Sequence, residues 1–186
     1  RGMVFIDGKG DLQSLSQFKA LVKQCGREKD LFIFSPLHVH LSNNWNPLIR
    51  GTPTEIKDRL IGSQIWSEEF YKKKGEDILL LILNIFEDLG ITPSFKKIEA
   101  VLENPECDLL KGRDIKNPEV LAKHEKFKSN YKQDAKNYAG IASDISLFSS
   151  PHFGKLFECE KGHGIDLLDA YFNSKIIYFH LPVLAL

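Results

Sequence analysis

The sequence predicts an α/β fold interrupted by a large all-α insertion, and three observations carry that prediction. Two short apolar runs, residues 3 to 6 and Leu31-Phe32-Ile33-Phe34, flank a stretch of helical period. A third strand-like run, Lys175-Ile176-Ile177-Tyr178-Phe179-His180, lies far downstream. Between them, nearly every apolar residue recurs at helical spacing. The expected division is 1-50 for a first α/β segment, 51-150 for the helical insertion and 151-186 for the return to the sheet.

Taken in order, Val4-Phe5-Ile6 reads as a strand ended by the turn Asp7-Gly8-Lys9-Gly10-Asp11. Leu12, Leu15, Phe18, Leu21 and Val22 then share a helix that Gly26 closes. Leu31 to Phe34 is a second strand, stopped by Ser35-Pro36. Continuous apolar strands on either side of a helix predict burial on both faces and parallel pairing. After Asn46-Pro47-Leu48 the character changes. Thr52-Pro53-Thr54-Glu55 supplies a cap and an early proline for a helix. Glu76 to Leu89 is apolar almost all round and predicts the buried centre of a bundle, ended by Gly90. Thr92-Pro93-Ser94 starts a helix to about Glu103, and Asn117-Pro118-Glu119 starts another. Phe127, Tyr131, Tyr138, Ala142 and Ile145 line one face of a helix or pair of helices ending before Ser149-Ser150-Pro151. Ile165 to Phe172 is a short helix leading into the last strand.

Composition excludes several classes. The 186 residues carry 25 Lys+Arg against 25 Asp+Glu, so a uniformly basic nucleic-acid binder is ruled out while a local basic patch is not. Thirteen Phe, five Tyr and two Trp supply ample core, which rules out a disordered chain. Cys25, Cys107 and Cys159 are odd in number and scattered, which fits a reducing compartment better than a disulfide framework. The longest apolar run, Ile78 to Leu83, is far short of the roughly 20 residues that cross a bilayer. Arg1-Gly2-Met3 leads straight into a strand rather than a signal peptide, which predicts a cytosolic chain. The sequence starts in a strand and stops at Leu181-Pro182-Val183-Leu184-Ala185-Leu186 without terminal punctuation, so a piece of something larger is expected.

Gly8-Lys9 invites the phosphate-loop reading, which needs four residues between its first Gly and the Gly-Lys pair, then Ser or Thr. Gly2 is one residue too far from Gly8, and Lys9 is followed by Gly10. No such loop is written here.

What stands there, Phe5-Ile6-Asp7-Gly8-Lys9-Gly10-Asp11, resembles the strand-end D-x-K-G-D element of the conjugative coupling proteins of type IV secretion systems, the TraG/TraD type. These sit within the FtsK/HerA-like superfamily of hexameric P-loop motors. The resemblance continues in order. Gly26-Arg27 precedes the second strand, and Trp45-Asn46-Pro47-Leu48 is similar to the family's x-N-P-L. Ile65-Trp66-Ser67-Glu68-Glu69-Phe70-Tyr71 is similar to its aromatic W-x-x-x-F/Y helix. Gly164-Ile165-Asp166-Leu167 and Lys175 to Pro182 look like its final strand motif. The match is loose from about Ser94 to Lys136.

The resemblance implies a helical bundle on a partial RecA-like parallel sheet, with the all-α domain inserted between the strand after the Walker A helix and the Walker B strand. Both nucleotide motifs then lie outside the chain. It implies ATP and Mg²⁺ as cofactors of the parent ATPase and none in this piece, which alone is expected to hydrolyse nothing. It further implies a homo-hexamer at the cytoplasmic face of the bacterial inner membrane, feeding DNA or protein to the channel. The partners implied are the relaxosome, DNA or secreted substrates, and components of the secretion channel. A related FtsK/HerA-like DNA translocase, or a purely protein-docking adaptor, is the alternative.

Two groups of residues carry candidate chemistry. Asp7, Lys9 and Asp11 sit at a strand's carboxyl end, where open α/β sheets place ligand contacts. The same residues also read as a turn with Asp11 capping the next helix. Lys111 to Lys136 holds eight Lys/Arg and four acids. Within it Lys128, Lys132 and Lys136 recur every four residues, and with Lys123 and Arg113 they are the candidate phosphate contacts. The same cations read more simply as a solvated helix face beside a buried aromatic stripe. Lys72-Lys73-Lys74 reads as a basic loop or as the end of a helix holding Trp66. Phe127, Tyr131 and Tyr138 read as core rather than base-stacking platforms. Cys159-x-x-x-His163 and His38-x-His40 supply too few ligands for a metal site, and no catalytic triad is specified by a local motif.

Overall fold

A computed structural model describes residues 1–66, 68–152, 154–160 and 162–181. The chain divides into two compact units, one formed by 1–46 with 155–186 and the other by 47–154. The second therefore interrupts the first in sequence. Ser67 and residues 182–186, which belong to two of the motifs above, lie outside the described residues.

In the first unit three parallel strands form one sheet: β1 (Met3–Asp7), β2 (Leu31–Phe34) and β3 (Ile176–His180), in the order β1-β3-β2. Parallel pairing is as expected, but the strand latest in sequence holds the centre. Phe5 and Ile33 both stand opposite Tyr178, which places all three side chains on one face. Helix α1 (Leu12–Gln24) lays Leu15 and Phe18 on that face, the Phe18 ring 4.8 Å from that of Tyr178. Asp11 caps α1 by accepting from the Gln13 and Ser14 N–H groups, and Gly26 takes the left-handed conformation after its last turn. On the opposite face Phe34, Trp45, Phe157 and Phe179 cluster with ring separations of 4.9 to 5.9 Å. Helix α6 (Leu167–Phe172) leads back into β3.

Burial corrects the expectation for the strands. β3 is buried throughout, whereas Met3, Val4, Phe5 and Ile6 of β1 are each more than two-fifths exposed. A continuous apolar run signals a doubly covered strand only where both faces and both neighbours are present, and β1 is an edge. In α1, Leu12 and Leu21 are exposed while Leu15 and Val22 are buried, so the apolar stripe is narrower than the sequence suggests.

The second unit is helical. α2 (Pro53–Gly62) opens with a complete capping box between Thr52 and Glu55. α3 (Glu69–Asp88) buries Ile78, Leu79, Leu81, Ile82, Leu83, Ile85 and Phe86 and packs against α2, α4 and α5. α4 (Phe95–Glu103) is capped by Ser94, and α5 (Pro118–Phe148) is a single helix of 31 residues. Tyr131 donates its hydroxyl to the Leu102 and Glu103 carbonyls at the end of α4, and Ser149 donates to Glu99 at 2.5 Å.

The expected Trp66 helix is absent. Trp66 sits in the link between α2 and α3, its indole N–H donating to the Ile61 carbonyl at 3.0 Å and its ring lying over Gly75. α3 begins after it, so Lys72, Lys73 and Lys74 fall in the helix's opening turns, where the macrodipole disfavours positive charge. Lys72 is offset by Glu69, and Lys73 by Glu76 and Asp77.

Candidate functional site

In the first unit the three strand ends converge on one row. Asp7 of β1 stands in register with His180 of β3, and Ser35 follows the paired Phe34 of β2. Asp7 Oδ2 accepts the buried Tyr178 hydroxyl at 2.7 Å, and its Oδ1 accepts the Lys9 and Gly10 N–H groups. The Tyr178 hydroxyl, followed by those backbone donors, holds the Asp7 carboxyl below the usual carboxylate range despite partial burial. Tyr178 moves the opposite way, raised first by burial and then by the Asp7 carboxylate. Asp11 is held low by the Ser14 hydroxyl and the Gln13 N–H, as a cap should be. Lys9 is exposed.

Of the three motif residues, two are thus occupied with local structure. Asp7 closes its own turn and ties β1 to β3; Asp11 starts α1. The residues that sequence reasoning missed are Tyr178, Ser35 and His180. Ser35 Oγ lies 2.8 Å from His180 Nδ1 and also accepts the His38 N–H at 3.3 Å. Donating its own proton to Nδ1 satisfies both groups and leaves His180 as the Nε2–H tautomer. Among the described residues that Nε2 is buried without a partner, and the His38 ring lies 5.4 Å away, centre to centre. No local motif could reveal this cluster, because its two hydrogen bonds join residues 145 and 171 positions apart in sequence.

This row can brace the sheet's carboxyl edge. It does not make a hydrolase, since Ser35 and His180 are both fully buried and present no nucleophile to solvent. Nor does it fit a nucleotide: the Asp7 oxygens are engaged, and the Lys9 and Gly10 N–H groups that could cradle phosphate already bind Asp7. Nearby, Asn46 of the N-P-L element donates its amide to the Cys159 carbonyl, and the Ile165 N–H meets the Asn44 carbonyl at 2.7 Å. Burial pushes the Cys159 thiol up. Among the described residues no group of three or more His, Cys, Asp or Glu could hold a metal ion.

In the second unit two of the five candidate cations are paired with carboxylates. Lys128 turns toward Glu125 at 2.6 Å and Glu106 at 3.9 Å, leaving its side chain only 25% exposed. Lys123 is paired with Glu119 at 2.7 Å. Arg113, Lys132 and Lys136 are exposed. Lys128 and Arg113 share the rim of a cleft of about 400 Å³ floored by Leu110, Leu121 and His124. The loop bordering it is pinned: His124 donates Nε2–H to the Pro105 carbonyl at 3.0 Å, and Asp88 accepts the Lys116 and Asn117 N–H groups. Spacing along α5 identified the ridge, but partners from α5 itself and from the loop before it neutralise part of its charge. Phe127 is buried; Tyr131 and Tyr138 are half-buried against it.

Comparison of the chain with protein-family models and with curated proteins finds no match. No helix among the described residues is long and apolar enough to cross a membrane.

Proposed function

We propose that the chain is the all-α domain, with flanking motor strands, of a coupling-protein ATPase that recruits DNA or protein substrates for a type IV secretion channel. The observation that carries this reading is topological. A self-contained helical unit, 47–154, is spliced into a parallel α/β unit between its second and third strands, and that third strand takes the central position. The motif order from Asp7-Gly8-Lys9-Gly10-Asp11 through Asn46-Pro47-Leu48 to the Lys175–Leu181 strand adds support.

On this reading the work of the chain is recruitment. ATP and Mg²⁺ belong to Walker motifs elsewhere in the parent, a hexamer at the inner face of the membrane, and supply its motion by phosphoryl transfer. The Asp7–Tyr178 and Ser35–His180 bonds hold the sheet edge that the motor loops leave. The helical unit presents the surfaces that meet substrate or relaxosome. Pairing of Lys123 and Lys128 favours a protein partner over bare DNA, because fewer cations remain to displace counterions. The test is made on the full-length protein in its host. Replacing residues 47–154 by a short linker should leave Mg²⁺-dependent ATP hydrolysis and abolish substrate transfer. Transfer at the normal level without the helical unit would refute the reading.

A further inference from the structure

The sheet of the first unit closes one of its edges and leaves the other open. Along β2 the outward backbone groups are met by the chain's own loop. The Ile33 N–H donates to the Asn43 side chain at 2.8 Å, the Asn43 N–H donates back to the Ile33 carbonyl at 2.6 Å, and the Ser35 N–H donates to Ser42 Oγ at 2.9 Å. β1 is different. Met3 donates its N–H to the Lys175 carbonyl and the Asp7 carbonyl accepts the Leu181 N–H, so in this parallel pair Met3, Phe5 and Asp7 turn their backbone groups toward β3. Val4 and Ile6 therefore turn theirs outward, and among the described residues no hydrogen bond reaches them. Their side chains are 54% and 67% exposed on the face opposite α1. The strand also lacks the devices that guard an edge: it has no lysine, no proline and no bulge in its register, and its one charge, Asp7, is tied inward to Tyr178.

We propose that β1 pairs antiparallel with β1 of a second copy of this chain, about a two-fold axis through Val4. A row of bare N–H and C=O groups is complemented by another extended backbone. What selects the chain's own β1 as that backbone is self-complementarity. With Val4 opposite Val4 of the second copy, Ile6 comes opposite Gly2 and Met3 opposite Phe5. Positions 2, 4 and 6 then form the hydrogen-bonded pairs, each exchanging both N–H···O bonds, and positions 3 and 5 form the close pairs between them. Apolar side chains meet apolar ones on both faces of the sheet, and the exposed bulk of Ile6 lies beside a glycine. Centring the pair on Phe5 instead would set Arg1 against Lys9 of the second copy. Because the β2 edge is sealed, the pairing closes at two copies rather than growing into a filament. One strand edge is a small contact, so the dissociation constant lies between about 1 µM and 1 mM. The inference concerns the first unit alone and stands apart from the transfer reading.

The test is sedimentation velocity of the whole chain from about 1 µM to 1 mM, with amide hydrogen exchange at both ends of that range. A concentration-dependent shift from monomer to dimer is expected. As the dimer fills, exchange at the Val4 and Ile6 amides should slow about tenfold or more, while Phe5, already turned to β3, stays as it was. Val4→Lys and Ile6→Lys should each weaken the dimer about tenfold or more, Val4→Lys the more, because it sets two ammonium groups opposite each other at the axis. Both side chains are solvent-exposed, so circular dichroism of the variants should match wild type. Tyr171→Lys with Phe172→Lys, which removes the exposed rings of α6, should leave the dimer intact. The proposal is overturned by a monomer at about 1 mM chain, by a dimer whose Val4 and Ile6 amides exchange as fast as in the monomer, by a dimer that survives both single lysine variants, or by species that grow beyond two copies. A dimer lost only in the α6 variant would also overturn it and assign the contact to that helix. None of these failures touches the hydrolysis and transfer result, so the two readings fail separately.

Discussion

Tyr178 donates its hydroxyl to Asp7 across the β1–β3 pair at 2.7 Å, so the first acid of the D-x-K-G-D element is bound to the strand that returns after the helical unit. Both groups are in the buried row at the sheet's carboxyl edge, and each moves the other's ionisation in a definite direction.

The Asp7 carboxyl is lowered in the folded chain, so its contribution is complete above the unfolded carboxylate value of about 4 and fades as pH falls below that. Tyr178 is raised, so its contribution is complete below about pH 10 and is lost as the pH rises further. Tyr178→Phe and Asp7→Asn are each expected to cost about 1–3 kcal/mol at pH 7, with strong non-additivity in the double variant. Urea midpoints at pH 7 and pH 3 would check this. The Asp7→Asn penalty should shrink at the lower pH.

Gly164 is held at φ 82°, and a Cβ there would stand 2.3 Å from the Asn44 carbonyl oxygen, inside any allowed contact. Gly112 has φ 70° but open space around it. Gly112→Ala should therefore cost about 1 kcal/mol, and Gly164→Ala clearly more, because strain and clash add. Denaturation curves of the two variants compared with wild type measure the gap.

Asp88 caps the start of α5 from another helix by accepting the Lys116 and Asn117 N–H groups. Asp88→Ala should remove about 1 kcal/mol of local stability. Hydrogen exchange at those two amides should accelerate about tenfold while the α3 core stays protected.

Of the five cations expected to meet phosphate, Arg113, Lys132 and Lys136 are without carboxylate partners among the described residues. If only these three contact duplex DNA, log K should fall with log salt at a slope of about −2.7. A slope near −4.5 would mean that Lys123 and Lys128 abandon their acids and join in.

The sequence made the local decisions legible. Asp11, Thr52, Ser94 and Asn117 cap the helices they precede, and Gly26 and Gly90 end theirs, because capping acts within a few residues. What it hid depends on distant partners. β3 enters between β1 and β2 from some 145 residues away, which leaves β1 at the edge. Trp66 has the spacing of a helical residue, yet its indole is drawn to the Ile61 carbonyl and to Gly75. Lys128 looked like one tooth of a ridge until Glu106, 22 positions earlier, turned toward it. The Ser35–His180 pair joins two strand ends and left no mark in the local pattern.

The most direct measurement is substrate transfer in cells whose full-length protein carries a linker in place of 47–154, with ATP turnover recorded on the same purified protein. Turnover preserved and transfer lost is the predicted result. Transfer undiminished, or Mg²⁺-dependent hydrolysis by the present chain alone, would contradict it.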